Sequence, residues 1–77
     1  MPFRDLVSPH AQRQARRRAI SLAEIEDTYV DPDDVRQSGH DVAREIRGRS
    51  FPSGRVEIVV DTIDGRVVST WRRQSDQ

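Results

Sequence analysis

The spacing of apolar residues changes period once along this chain, near residue 35. Over residues 8–21, Ala11, Ala15 and Ala19 recur at helical spacing and make a narrow apolar stripe. At about 100° per residue His10, Gln14 and Arg17 share another face, flanked by Arg13 and Arg18. Ser8 is placed to cap this helix, and Pro9 suits the first helical position, where no N–H is needed. Val7 can act as a hydrophobic staple, and Arg16, Arg17 and Arg18 fall at the carbonyl end, where the helix dipole favours cations. Ser21 and Glu24 then form a capping box for a second helix over about 22–30. That helix turns Leu22, Ile25, Tyr29 and Val30 inward and Glu24, Glu26 and Asp27 outward. Asp31-Pro32-Asp33-Asp34 stops it, because the residue before a proline avoids the helical region and Asp favours turns.

From Val35 the pattern alternates. Val35 to Ser38 reads as a short edge strand, Gly39-His40 as a turn, and Asp41 to Arg47 as a second strand. In that strand Arg44 shares a face with Val42 and Ile46, and Glu45 and Arg47 take the other. Gly48 to Gly54, with Pro52 between two glycines, reads as a loop. Arg55 to Asp61 carries Val56, Ile58 and Val60 on one face and Val59 on the other, which predicts a central strand. Asp64-Gly65 signals a tight hairpin into Arg66 to Arg72, where Val67, Ser69 and Trp71 oppose Val68 and Thr70; Gln74 onward frays. The expected fold class is α+β, two N-terminal helices packed on a three- or four-stranded antiparallel sheet.

Seventy-seven residues make one small domain, near the size at which a single core is just sufficient. The absence of cysteine removes disulfides and thiolate metal sites and is compatible with a reducing cytoplasm. With 34% hydrophobic and 34% charged residues, a second chain covering apolar surface, including a copy of this one, is a reasonable expectation. The longest apolar run, Ile58-Val59-Val60, is far too short to cross a membrane, and no targeting segment is visible. The net charge of zero conceals a dipole: residues 1–20 hold five Arg and one acid, whereas residues 21–34 hold six acids and no base. All thirteen bases are Arg, so every cation offers a planar fork suited to phosphate or carboxylate.

His10, second residue of its helix, is the candidate general base or acid, and an ordinary surface histidine is the plainer alternative. His40 lacks ligand-spaced carboxylates, so no metal site is expected. Arg44 needs an anion, either a carboxylate or a bound phosphate, if its face is inward, and is merely solvated if it is outward. Thr70 is a simple strand former unless it shares a cleft with His10, and Tyr29 and Trp71 are by default core aromatics. No P-loop, Rossmann glycine pattern or nucleophile elbow is present, and no cofactor is expected.

The run Ser-x-His-Ala, then Arg18-Ala19-Ile20-Ser21, then Glu-Ile and a proline, then Gly-Arg-Val-Val-Ser-Thr-Trp, resembles a family known as domain of unknown function forty-two fifty-eight. That family is grouped with the barnase, EndoU, colicin and RelE-type nucleases, and the likeness covers about residues 7–72. It implies helices preceding a four-stranded sheet and a ribonuclease toxin of a toxin–antitoxin or polymorphic toxin system, with RNA as substrate and an antitoxin or immunity protein as partner. It nominates His10 and Arg18 from the helix and Arg44 and Thr70 from the strands as catalytic; Arg13, Gln14 and Arg17, on or beside the polar helix face, are the candidates for binding substrate. Gln14 stands where the pattern often has Arg, and Ala19 where it usually has Gly. Metal-independent RNA cleavage needs a base for the 2′-OH, cations for the phosphorane and an acid for the leaving oxygen. The expectation is therefore a cytoplasmic ribonuclease-type toxin, the alternative a non-catalytic module that binds nucleic acid or protein with the Arg-rich helix face, and a third reading an inactive structural relative.

Overall fold

The computed structural model describes residues 2–39 and 42–73; the turn at His40, the strand start at Asp41 and the fraying from Gln74 fall outside them. A single 3-10 turn, Phe3–Leu6, leads into helix α1, Pro9–Arg17, and helix α2, Leu22–Val30. Four strands follow: β1 Asp34–Gln37, β2 Arg44–Phe51, β3 Gly54–Asp61 and β4 Val67–Arg73. They form an antiparallel meander in the order β1-β2-β3-β4, so β3 is internal, as its two-faced apolar pattern predicts. The protein is an α+β domain with its helices N-terminal to the sheet.

Both helix starts form as the sequence specifies. The Ser8 hydroxyl accepts from the Ala11 N–H (3.1 Å), and Ser21 and Glu24 make a reciprocal capping box. α1 ends at Arg17 because Ala19 takes a left-handed conformation, φ 54°, and reverses the chain into α2. Val7, Ala11, Ala15, Ile20 and Ile25 from the helical layer meet Val56, Ile58, Val60 and Val67 from the sheet in one core. Val30, expected inside, is exposed, and Thr28 is buried in its place with its hydroxyl donating to the Glu24 carbonyl (2.8 Å).

Three further expectations are corrected. The segment 48–54 is not a loop: β2 runs through Gly48 to Phe51 and turns at Pro52-Ser53. The strand continues there without an apolar alternation, and its arginines on the helix side, Arg47 and Arg49, reach the end of α2. Arg47 donates to the Tyr29 carbonyl (2.7 Å) and stacks 4.8 Å from its ring centroid, and Arg49 donates to the Asp31 carbonyl (2.6 Å). The β3–β4 connection is longer than a two-residue hairpin, closing through Asp61 N–H to Arg66 O and Gly65 N–H to Asp61 O, both 2.8 Å. Finally, a register shift between Val59 and Val60 pairs Val60 with Val67 and turns Val67 into the core, away from the face of Ser69 and Trp71.

Candidate nucleic-acid interface

α1 lies along the edge of β4 and runs in the same direction. The Ser8 N–H donates to the Val67 carbonyl (2.9 Å) at one end, and Arg72 donates to the Ala19 carbonyl (2.8 Å) beyond the other. Midway, the Gln14 side-chain oxygen accepts from the Ser69 hydroxyl (2.9 Å) and from the Thr70 backbone N–H (3.0 Å). Gln14 thus supplies the acceptor that a fifth strand would bring, which satisfies and protects the sheet edge. The same contact fixes the rotation of α1. His10 and Arg17 lie one turn before and after Gln14 on the face directed along this edge.

The structure brings only part of the expected set together. His10, Gln14, Arg17 and Ser69 line the α1–β4 edge; His10 is exposed and makes no hydrogen bond to another described residue. Arg13 lies beside them on the solvent side of α1. Arg18 is the C-cap, eight residues from His10 and so about 12 Å further along the axis at 1.5 Å per residue. Thr70 is fully buried, and its hydroxyl donates to the Glu57 backbone carbonyl (3.0 Å), so it reaches the edge through its N–H alone. Arg44 stands opposite Asp61 on β2, separated from the covered edge by the whole of β3 and β4. It is exposed, on the sheet face away from the helices.

Charge compensation distinguishes α1 from the sheet. Arg36 pairs with Asp34, Arg47 with Glu45 and Arg49 with Asp31 at 2.9 Å, and Arg55 with Asp33 and Arg72 with Glu24 at 3.0 Å. The side chains of Arg13, Arg16, Arg17 and Arg18 are exposed and have no ion pair or hydrogen bond among the described residues. Among the described residues, α1 and its C-cap therefore hold the densest group of unpaired cations. Arginine count alone does not reveal this, since the four strands carry more arginines than α1 and its C-cap.

The sheet face opposite the helices holds a cluster that sequence reasoning missed. Glu57 is 1% exposed at the centre of β3, opposite Gly48 and Trp71. Its Oε1 accepts from the Trp71 indole N–H (2.9 Å), and its Oε2 faces Arg55 (3.3 Å), Arg36 (3.4 Å) and Arg73 (3.7 Å). Burial alone would raise the Glu57 carboxyl. The Trp71 and Arg55 hydrogen bonds and the charges of Arg36 and Arg73 outweigh it and hold the group below its ordinary value. A carboxylate so held organises guanidiniums and is a poor proton acceptor. With Asp33 and Asp34 also paired into the cluster, three cations meet three anions, which leaves this face a weaker anion site than α1. The one signal in the sequence was a glutamate at an alternating position of a central strand, flanked by Arg55. No group of three or more metal-ligating side chains occurs among the described residues, nor is any of their helices long and apolar enough to cross a membrane. No family model, curated protein or solved structure matches the chain.

Proposed function

We propose that the chain is a small cytoplasmic ribonuclease-type toxin that works without metal, seats an RNA strand along α1, and is held inactive by an antitoxin or immunity protein. The observation that carries this reading is the placement of His10, Gln14 and Arg17 on one face along the β4 edge, beside guanidiniums that no carboxylate among the described residues neutralises. Arg13 and Arg17 grip phosphate oxygens, and Gln14 holds the β4 edge in register beneath them. His10 takes the 2′-OH proton or protonates the leaving oxygen, and a flanking guanidinium stabilises the phosphorane charge. Trp71, partly exposed on the same side of β4 as Ser69 and fixed through its indole N–H, offers a surface on which a base can stack. The resemblance set out above points the same way.

One observation favours the second reading, RNA binding without cleavage. The Thr70 hydroxyl is committed to a backbone carbonyl and Arg44 lies across the sheet, so among the described residues His10 is the single proton-transfer side chain on the α1 face. Incubating end-labelled RNA with the purified protein in EDTA separates the two. Cleavage that is lost in His10→Ala while binding persists supports the enzyme; binding with no cleavage, and a silent His10→Ala, supports the module. In both cases Arg17→Ala weakens binding and lowers the slope of log K against log salt by about 0.7 for single-stranded RNA. Trp71, the only tryptophan, reports binding by its fluorescence. A protein that neither binds nor cleaves RNA ends both readings.

A further inference from the structure

On the side of α1 opposite His10, Gln14 and Arg17, a cavity of about 160 Å3 opens between the Phe3–Leu6 turn, α1 and the start of α2. Its floor is aliphatic: Val7, Ala15, Ile20 and Ile25. Leu22, 41% exposed, continues that apolar surface at the rim. Two arginines, Arg4 and Arg16, stand at the mouth, and neither side chain has an ion pair or hydrogen bond among the described residues. Gln12 also borders the cavity, but its amide N–H is spent on the Val7 carbonyl (3.0 Å).

We propose that this cavity is a docking site for an acidic protein segment that inserts one aliphatic side chain. Charge complementarity decides the flanking chemistry, because unpaired guanidiniums that border an apolar hole match a carboxylate beside an alkyl group. Size bounds the anchor: about 160 Å3, open to solvent at the mouth, holds one aliphatic side chain against the Val7, Ala15, Ile20 and Ile25 floor. The site is independent of RNA binding, as it occupies the other side of the helix. It would let a protein partner grip α1 from behind while the His10 face stays open or is covered separately.

The test uses the whole chain and three blocked peptides in a 1H–15N correlation titration: EELEE, EEGEE lacking the anchor, and QQLQQ lacking the charge. EELEE is expected to shift the amides of Val7, Ala15, Ile20 and Ile25 with a Kd on the order of 1 mM, appropriate to a short flexible peptide. The other two should bind at least about tenfold more weakly, the loss that follows when an interaction of some 1.4 kcal/mol is removed. Arg4→Gln and Arg16→Gln, both exposed positions that leave the core intact, should each weaken EELEE several-fold without altering the remainder of the spectrum. Equal binding of EEGEE, or indifference to both arginine substitutions, overturns the proposal, as does the absence of shifts at the cavity amides. If oligouridylate shifts those amides and EELEE does not, the cavity belongs to the RNA path and the proposal is again overturned. None of these readouts depends on RNA cleavage.

Discussion

Replacing Glu57 by Gln removes one charge from the centre of the exposed sheet face while keeping an acceptor for Trp71. The amide oxygen can still take the indole N–H at the Oε1 position, but an NH2 group then faces Arg55, Arg36 and Arg73 where a carboxylate oxygen stood. Arg36 and Arg73 are 45% and 62% exposed, so water screens them and their contributions fall in the range of about 0.2–1 kcal/mol each. Arg55 is 24% exposed and keeps Asp33, so its lost bond to a charged group costs about 1.5 kcal/mol. The expected loss is therefore about 2–3 kcal/mol near neutral pH. Urea unfolding followed by Trp71 fluorescence reads it as a lowered midpoint at unchanged slope. The sign of the pH dependence follows from the lowered Glu57 pKa: its stabilisation is fully present above the ordinary value of 4.5 and is lost as pH falls through the depressed folded value. The gap between wild type and Glu57→Gln should accordingly be constant from neutrality to about pH 5 and narrow below that. A gap under about 0.5 kcal/mol, or one that does not change on acidification, would refute the assignment of Glu57 as the charge that orders this face.

Ala19→Gly should stabilise the protein by about 0.5–1 kcal/mol, because relief of a left-handed alanine exceeds the entropy a glycine adds to the unfolded chain; a thermal melt raised by several degrees is the readout. Gly48→Ala should cost about 1 kcal/mol, since a Cβ there would meet the Arg55 guanidinium and push it off Glu57 and Asp33. In a cycle with Glu57→Gln the two losses should be non-additive, and strict additivity would contradict the shared cluster. Thr70→Val should lower stability by about 1 kcal/mol, the value of one buried hydrogen bond, and leave RNA binding and cleavage unchanged; loss of cleavage with the fold intact would assign the hydroxyl to chemistry after all.

Much of this molecule is legible in short stretches of chain. The helix starts are set by Ser8, Pro9, Ser21 and Glu24, because capping acts across three residues and needs no tertiary partner. The internal position of β3 follows from apolar residues on both faces, and the α+β class from the single change of period near Val35. The His10, Gln14 and Arg17 face is likewise a property of helical spacing.

What only the tertiary structure decided is where those faces point and which charges are compensated. Arg47 and Arg49 break the alternation of β2, and their purpose becomes visible only when the α2 carbonyls, 18 residues away, come within reach. Gln14 meets Ser69 and Thr70 across 55 and 56 residues, and that meeting orients α1 and places its cations along the β4 edge. The register shift at Val59 and Val60 turns Val67 into the core, off the face of Ser69 and Trp71 with which strict alternation groups it. Local propensity and capping act over a few bonds, so a sequence displays them directly. The pairing of a guanidinium depends on a carboxylate brought near by folding, so thirteen identical arginines become structural clamps or a free cationic surface only in three dimensions.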